Sequence, residues 1–223
     1  MGRNKFSQSE IDLLSTFASQ ASIAIENAQL YAEMKNQYMS MISALAAAIE
    51  AKDSYTHGHS TNVMEYAVKI SKALGLEDNE VENVKYAGLL HDIGKIGVKD
   101  VILSKQGKLT SEEVAELRKH PVYGANIMEK VAILKDIAPL ALYHHERFDG
   151  NGYPLGLKGE EIPLGARILA VADTYDAMRH GRSFREKVPL EQIRKELTEN
   201  SGILYDPEIV TVMLELCAED LHE

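Results

Sequence analysis

From Phe6 to Asp53 the chain carries neither proline nor glycine. Those two residues interrupt helices most strongly, and the residues between them are mostly good helix formers. The segment therefore predicts one long helix. Read in heptads from Ile11, its a positions are Ile11, Ala18, Ile25, Ala32, Met39 and Ala46. Its d positions are Leu14, Ala21, Ala28, Lys35, Ile42 and Ile49, and only Lys35 is polar. A seam this regular predicts a coiled coil, read here as a parallel homodimer stalk. The many alanines would also suit a helix packed on its own domain.

Beyond Asp53 helical text follows helical text. Ser60 or Thr61 is expected to cap a helix with Val63, Ala67, Ile70 and Leu74 on one face, closed by Gly75. A second is expected from about Asp78 to Leu90. Thr110 with Glu113 forms a capping box for a third, and Pro121 suits the first turn of a fourth. A fifth covers about Asp136 to Glu146 and a sixth about Leu164 to Met178. Asp206-Pro207 opens the last, with Ile209, Val210, Met213, Leu214 and Cys217 on its apolar face. No stretch alternates with period two, so the fold class is all-α. The expected division is a helix over 1–50 and a compact helical domain over 51–223. One Gly/Pro-rich loop, Arg147 to Pro163, is long enough to predict a functional role.

Composition narrows the partners. A net charge of −10 argues against binding a nucleic acid polymer. No run approaches the roughly 20 apolar residues of a membrane span. The N-terminal text lacks an apolar signal region, and the single cysteine, Cys217, fits a reducing cytosol. A cytoplasmic protein is expected.

The chemistry concentrates on histidines. His91 and Asp92 are adjacent, after the apolar residues Ala87, Leu89 and Leu90. Neighbours on a helix point about 100° apart, so both can face one ion only at a helix end. Gly94 then allows the chain to turn. Burying such a pair is costly unless a metal or opposite charge satisfies it. Singly, a histidine near a helix is usually structural and an aspartate after an apolar run is usually a cap. The order His59, His91-Asp92, Asp173 resembles the metal signature of the HD superfamily of phosphohydrolases. LRKHPVYGANIM, with His120, and LYHHERFDGNGYP, with His144, His145 and the Gly152-Tyr153-Pro154 triplet, resemble the HD-GYP signature, in order over about Asp53 to Asp206. SEIDLLSTFASQASIAIENAQLY resembles the last helix of a GAF sensory domain.

The HD-GYP resemblance implies a two-metal phosphodiesterase acting on cyclic di-GMP. Asp92 would bridge two cations, with His59, His91 and Asp173 on the first and His120, His144 and His145 on the second. Some family members carry a Glu four residues before the first His, for a third metal. Tyr55 stands there, so the chain supports two metals, and His57 is expected at the surface. Two cations about 4 Å apart would lower the pKa of a bridging water and offset phosphate charge. Five imidazoles, two carboxylates and no thiolate suit Fe, Mn, Zn or Ni better than Ca or Mg. The resemblance implies Fe or Mn.

Lys95 matches the lysine that contacts phosphate in the family, which makes it, with Asp92, a catalytic candidate. Arg182 and Arg185 match a basic pair that holds the nucleotide. Tyr153 could stack on a guanine, close the pocket, or simply shape the turn. Asp149 is expected to shape its loop, and Asp176 resembles a position near the metals without an assigned role. The expected product is pGpG, with GMP after a second cleavage. Two alternatives stay open: hydrolysis of another cyclic nucleotide such as cyclic GMP-AMP, and a non-catalytic module that docks on a GGDEF-type domain.

Overall fold

The computed structural model describes residues 6–52, 58–180 and 188–219. Tyr55, His57, Arg182 and Arg185 lie outside the described residues. Among those described there is no strand, only an isolated bridge between Ser201 and Tyr205. The helices are α1 (Gln8–Lys52), α2 (His59–Ala73), α3 (Asp78–Leu90), α4 (Asp100–Leu103), α5 (Ser111–Leu117), α6 (His120–Met128), α7 (Ala138–Leu142), α8 (Leu164–Arg179), α9 (Leu190–Glu199) and α10 (Pro207–Glu219). A 3-10 turn over Ile93–Gly97 follows α3. The all-α expectation holds.

The chain forms two units, Met1–Met41 and Ile42–Glu223. Within the first, every described heptad position, from Ile11 to Met39, is exposed or half-buried. Within the second, the last seam positions, Ile42, Ala46 and Ile49, are buried. The seam thus divides: its last positions are buried within the second unit, and those of the first unit are not buried.

The second unit is built around α2, which packs along α3 and α8, while α9 and α10 lie against α8. Val63, Ala67 and Ile70 of α2 are fully buried at helical spacing, as are Ile168, Leu169 and Ala172 of α8. A fully buried side chain such as Ile70 contributes roughly 1.5–3 kcal/mol by leaving water. Tyr66 and Tyr175 meet edge to face, with centroids 4.7 Å apart, where α2 crosses α8. α6 packs on the Ile93–Gly97 turn and on α7.

Several boundaries differ from expectation. Neither Ser60 nor Thr61 caps α2. Its N-cap is Gly58, and no side chain of its own takes the first amides. Glu50 of α1 accepts from the Gly58 and Ser60 amides instead, at 2.8 and 2.7 Å. α2 does close at Gly75, where the Leu76 amide returns to the Ser71 carbonyl. The fifth helix is only Ala138–Leu142, because Tyr143 leaves helical geometry just before the His pair. α9 lies in text to which no helix is assigned above, although Pro189 precedes buried Ile193 and Leu197 at i,i+4 spacing. Gly94 serves close approach rather than an unusual turn. A Cβ there would lie 1.8 Å from the His120 carbonyl oxygen, so only glycine lets α6 reach the turn after His91-Asp92.

Candidate metal centre

Five elements deliver the predicted ligands to one place. His59 is the first residue of α2, His91 caps the C-terminus of α3, and Asp92 precedes the 3-10 turn. His120 opens α6, His144 and His145 follow α7, and Asp173 lies within α8. The adjacent His91-Asp92 pair sits at a helix end, where its two side chains can converge.

Ligand atoms of His59, His91 and Asp173 lie within 4.8 Å of one another. The same holds for His120, His144 and His145, and for His91, Asp92 and His144, which join the two groups. Ring centroids are 5.3 Å apart for His59–His91, 5.1 Å for His91–His144 and 3.9 Å for His144–His145.

The orientation of the rings carries the chemical argument. Nδ1 of His91 donates to the Gly88 carbonyl at 2.8 Å, that of His120 to Leu117 at 2.8 Å, and that of His144 to Ala141 at 2.6 Å. A carbonyl only accepts, so each Nδ1 holds the proton and each Nε2 keeps its lone pair for the centre. Nδ1 of His59 meets Asp176 Oδ2 at 2.6 Å. The Nε2 atoms of His59, His91, His120 and His144 are all buried without a hydrogen-bond partner. Buried polar atoms are rarely left so. Nε2 also faces carboxylate oxygen: His59 to Asp173 at 3.3 Å, His91 to Asp92 at 3.4 Å, His120 to Asp92 at 3.2 Å. Lone pairs facing oxygen need a cation between them. Protonating several packed imidazoles would set like charges against each other, so divalent ions fit better. The second bond from Nδ1 is the usual support of a ligating histidine.

Electrostatics agrees. Burial pushes the His144 imidazole well below its ordinary value, with His145 adding to the effect. Burial and His120 bring His145 down to about 3. Both rings stay neutral and able to ligate. Burial works against ionising Asp92, but Lys95 and His91 outweigh it and hold the carboxyl well below the usual range. Burial also opposes charge on His59, yet Asp173 and Asp176 raise it to about 10, so metal uptake there must displace a proton.

Lys95 is buried, with Nζ 2.8 Å from Asp92 Oδ2. Tyr153 stacks on His145, centroids 4.9 Å apart, and the Arg118 guanidinium lies over its ring at 5.1 Å. Asp149 accepts from Arg147 and from the Asn151 amide, as expected of a loop-shaping residue. Four further residues support the site. Asp176 orients His59. Glu146, buried, accepts from the amides of Leu155, Gly156 and Leu157 at 2.7, 3.1 and 3.1 Å, folding the loop back beside the His pair. Gly152 is required in that fold, since a Cβ would lie 2.3 Å from the Arg147 nitrogen. Arg118 holds Tyr153. Gly152 was legible in the Gly152-Tyr153-Pro154 triplet and Asp176 as three residues after Asp173 on the same face of α8, whereas Glu146 and Arg118 carried no sequence signal.

Known proteins share the family and the fold of this chain. Residues 17–209 match the HD domain family model. The chain is 36% identical over 211 residues to 3'3'-cGAMP-specific phosphodiesterase 2 of Vibrio cholerae, covering 93% of this chain and 40% of that protein. It is 39% identical over 190 residues to a cyclic di-GMP phosphodiesterase of Thermotoga maritima, covering 84% and 52%. The chain thus spans about half the length of these curated relatives, or less. Among solved structures, the V. cholerae cyclic GMP-AMP phosphodiesterase V-cGAP3 has the same fold, with a TM-score of 0.62 at 21% identity over 78% of this chain and 48% of that one.

Proposed function

The chain belongs to the HD domain family, and from that premise we propose that it is a cyclic di-GMP phosphodiesterase working at a two-metal centre. The observation that carries the reading is the set of four buried Nε2 atoms with no partner, facing one another and two aspartates. His59, His91 and Asp173 would hold one ion, His120, His144 and His145 the other, with Asp92 between them. Fe or Mn is the proposed pair, on the HD-GYP resemblance, while the imidazole-rich ligand set by itself also suits Zn or Ni. When bound, such ions supply an acidified water and offset the charge of the phosphodiester.

The chain's own groups do the rest. The Nδ1 anchors on Gly88, Leu117 and Ala141 keep three rings in the ligating tautomer. Asp92 stays ionised beside Lys95. The Lys95 ammonium would meet a phosphoryl oxygen as the diester enters, and Tyr153, held between His145 and Arg118, would wall the pocket. Arg182 and Arg185 are proposed to hold the nucleotide. Water adds to phosphorus and the bond to the 3′ oxygen breaks, so one hydrolysis gives pGpG and a second gives GMP.

A second reading has an observation of its own. The relative matched over 93% of this chain is named for 3'3'-cGAMP. Both substrates should therefore be offered to anaerobically purified protein whose metal content is measured on the same sample. Preferential turnover of cyclic di-GMP supports the first reading, and preference for 3'3'-cGAMP the second. Asp92→Ala should lose bound metal and turnover together while keeping its helical circular dichroism. Unchanged turnover in that variant would refute the centre.

Two partner proposals accompany the reading. The exposed apolar seam of α1, with Ile25 59% exposed, supports a homodimer through that helix. Leu155, 67% exposed on the folded loop, supports docking of a GGDEF-type domain there. No helix among the described residues is long and apolar enough to cross a membrane.

A further inference from the structure

The last turn of α1 carries two side chains of opposite charge that the metal centre leaves unused. Glu50 and Lys52 are two residues apart, about 200° around the helix, so they reach different segments. Glu50 Oε2 accepts from the Gly58 amide at 2.8 Å and Oε1 from the Ser60 amide at 2.7 Å. Those amides flank His59, at the start of a helix with no capping side chain of its own. Lys52 Nζ donates to the carbonyls of Ile96 at 2.9 Å and Val98 at 2.8 Å, with the Lys95 carbonyl at 3.3 Å and Asp100 Oδ1 at 3.1 Å. Those carbonyls close the 3-10 turn that starts after Asp92 and contains Lys95. Each charge complements the helix end it meets, carboxylate on free amides and ammonium on free carbonyls. Buried Ile42, Ala46 and Ile49 fasten the same stretch of α1 to the domain.

We propose that Glu50 and Lys52 are positioning residues through which the end of α1 sets the metal centre: Glu50 fixes where His59 stands, and Lys52 fixes where Lys95 stands. Neither residue touches metal or substrate. Hydrogen bonds are directional, so a slide or rotation of this turn is felt first in those two segments. The inference rests on the metal-centre reading and adds to it a route by which α1 governs metal retention and turnover.

The test uses the full chain, manganese as the metal and cyclic di-GMP as substrate. Manganese affinity per site is read by equilibrium dialysis, kcat and KM at saturating manganese, and Tm as a control for folding. Glu50→Ala should weaken one of two manganese ions by about tenfold to a hundredfold, the range for lost support of a ligand. Glu50→Gln should recover part of this, because its amide oxygen still accepts. Lys52→Met should keep both ions yet lower kcat by about tenfold to a hundredfold, as misplaced reacting groups do, with KM little changed. Lys52→Arg should recover part. Wild-type affinity in Glu50→Ala together with wild-type kcat in Lys52→Met overturns the proposal. So does a lowered Tm with both values unchanged in the folded fraction. Where the Ala or Met variant fails to fold, the Gln and Arg variants decide: intermediate losses support it and wild-type values overturn it. A wild-type chain that binds no manganese is a separate outcome, and overturns the metal-centre reading itself.

Discussion

Asp176 accepts from two imidazoles at once, Nδ1 of His59 and Nδ1 of His180, both at 2.6 Å. Its carboxylate keeps the His59 proton on Nδ1 and turns Nε2 toward the centre, although Asp176 offers no atom of its own. Asp176→Asn keeps the size and weakens the acceptor. It should loosen the ion at His59 by about tenfold to a hundredfold while leaving the circular dichroism unchanged, as metal titration of the variant will show. The ligand types were legible because chemistry requires them and their order matches a known signature. The supports were not. Glu146 and Glu50 bond to backbone amides of distant segments, and a backbone amide has no identity in a sequence. Arg118 reads as an ordinary surface charge until Tyr153 is folded against it. Asp176 was legible as a position on one helix face, but its partner, 117 residues away, was not.

Elements followed their end signals where those signals were local. Thr110 and Glu113 cap α5 reciprocally, with Lys105 2.6 Å from the Glu113 carboxylate. Thr110→Ala should cost about 1 kcal/mol, read from denaturant unfolding, and leave metal content alone. Lys105 first, and the Thr110 amide next, lower the Glu113 carboxyl from 4.5. A lowered folded value means the contribution is present above about 4.5 and is lost as pH falls through the lowered value. The stabilisation at Glu113 should therefore fade in acid, and Glu113→Gln protein, which lacks that carboxylate, should start less stable at neutral pH and lose less on acidification, as denaturant unfolding at several pH values will show. The loop after the His pair is pinned otherwise. Glu146→Ala strands three amides, each costing roughly 1–3 kcal/mol if it stays buried. The loop should open, with faster proteolytic cleavage between Asp149 and Lys158 and lower turnover as Tyr153 leaves His145. The same contrast explains the boundary errors. α5 and α10 carry their caps in their own sequence, whereas α2 takes its cap from α1, which no local rule reports.

At the scale of the whole molecule, the apolar seam divides at Met41. Ile42, Ala46 and Ile49 are satisfied within the domain. Ile11, Leu14 and Ile25 stay 47%, 55% and 59% exposed, at a and d positions where a partner helix would bury them. An isolated helix draws little stability from propensity alone, so covering this face is what would hold the segment helical in water. A second copy offers the matching seam in the same register, and a parallel pair needs no other partner chemistry. A charge introduced at a buried a position must be desolvated in both strands, which a coiled-coil core tolerates poorly. Ile25→Asp should therefore shift the proposed dimer to monomer in sedimentation equilibrium and reduce the helical signal in proportion to the freed segment. Metal content should not change, because Glu50 and Lys52, which reach the segments of the centre, lie in the stretch of α1 fastened by buried Ile42, Ala46 and Ile49. A variant that remains dimeric would assign the interface elsewhere. A variant that turns monomeric and loses metal as well would mean that dimerisation itself supports the centre.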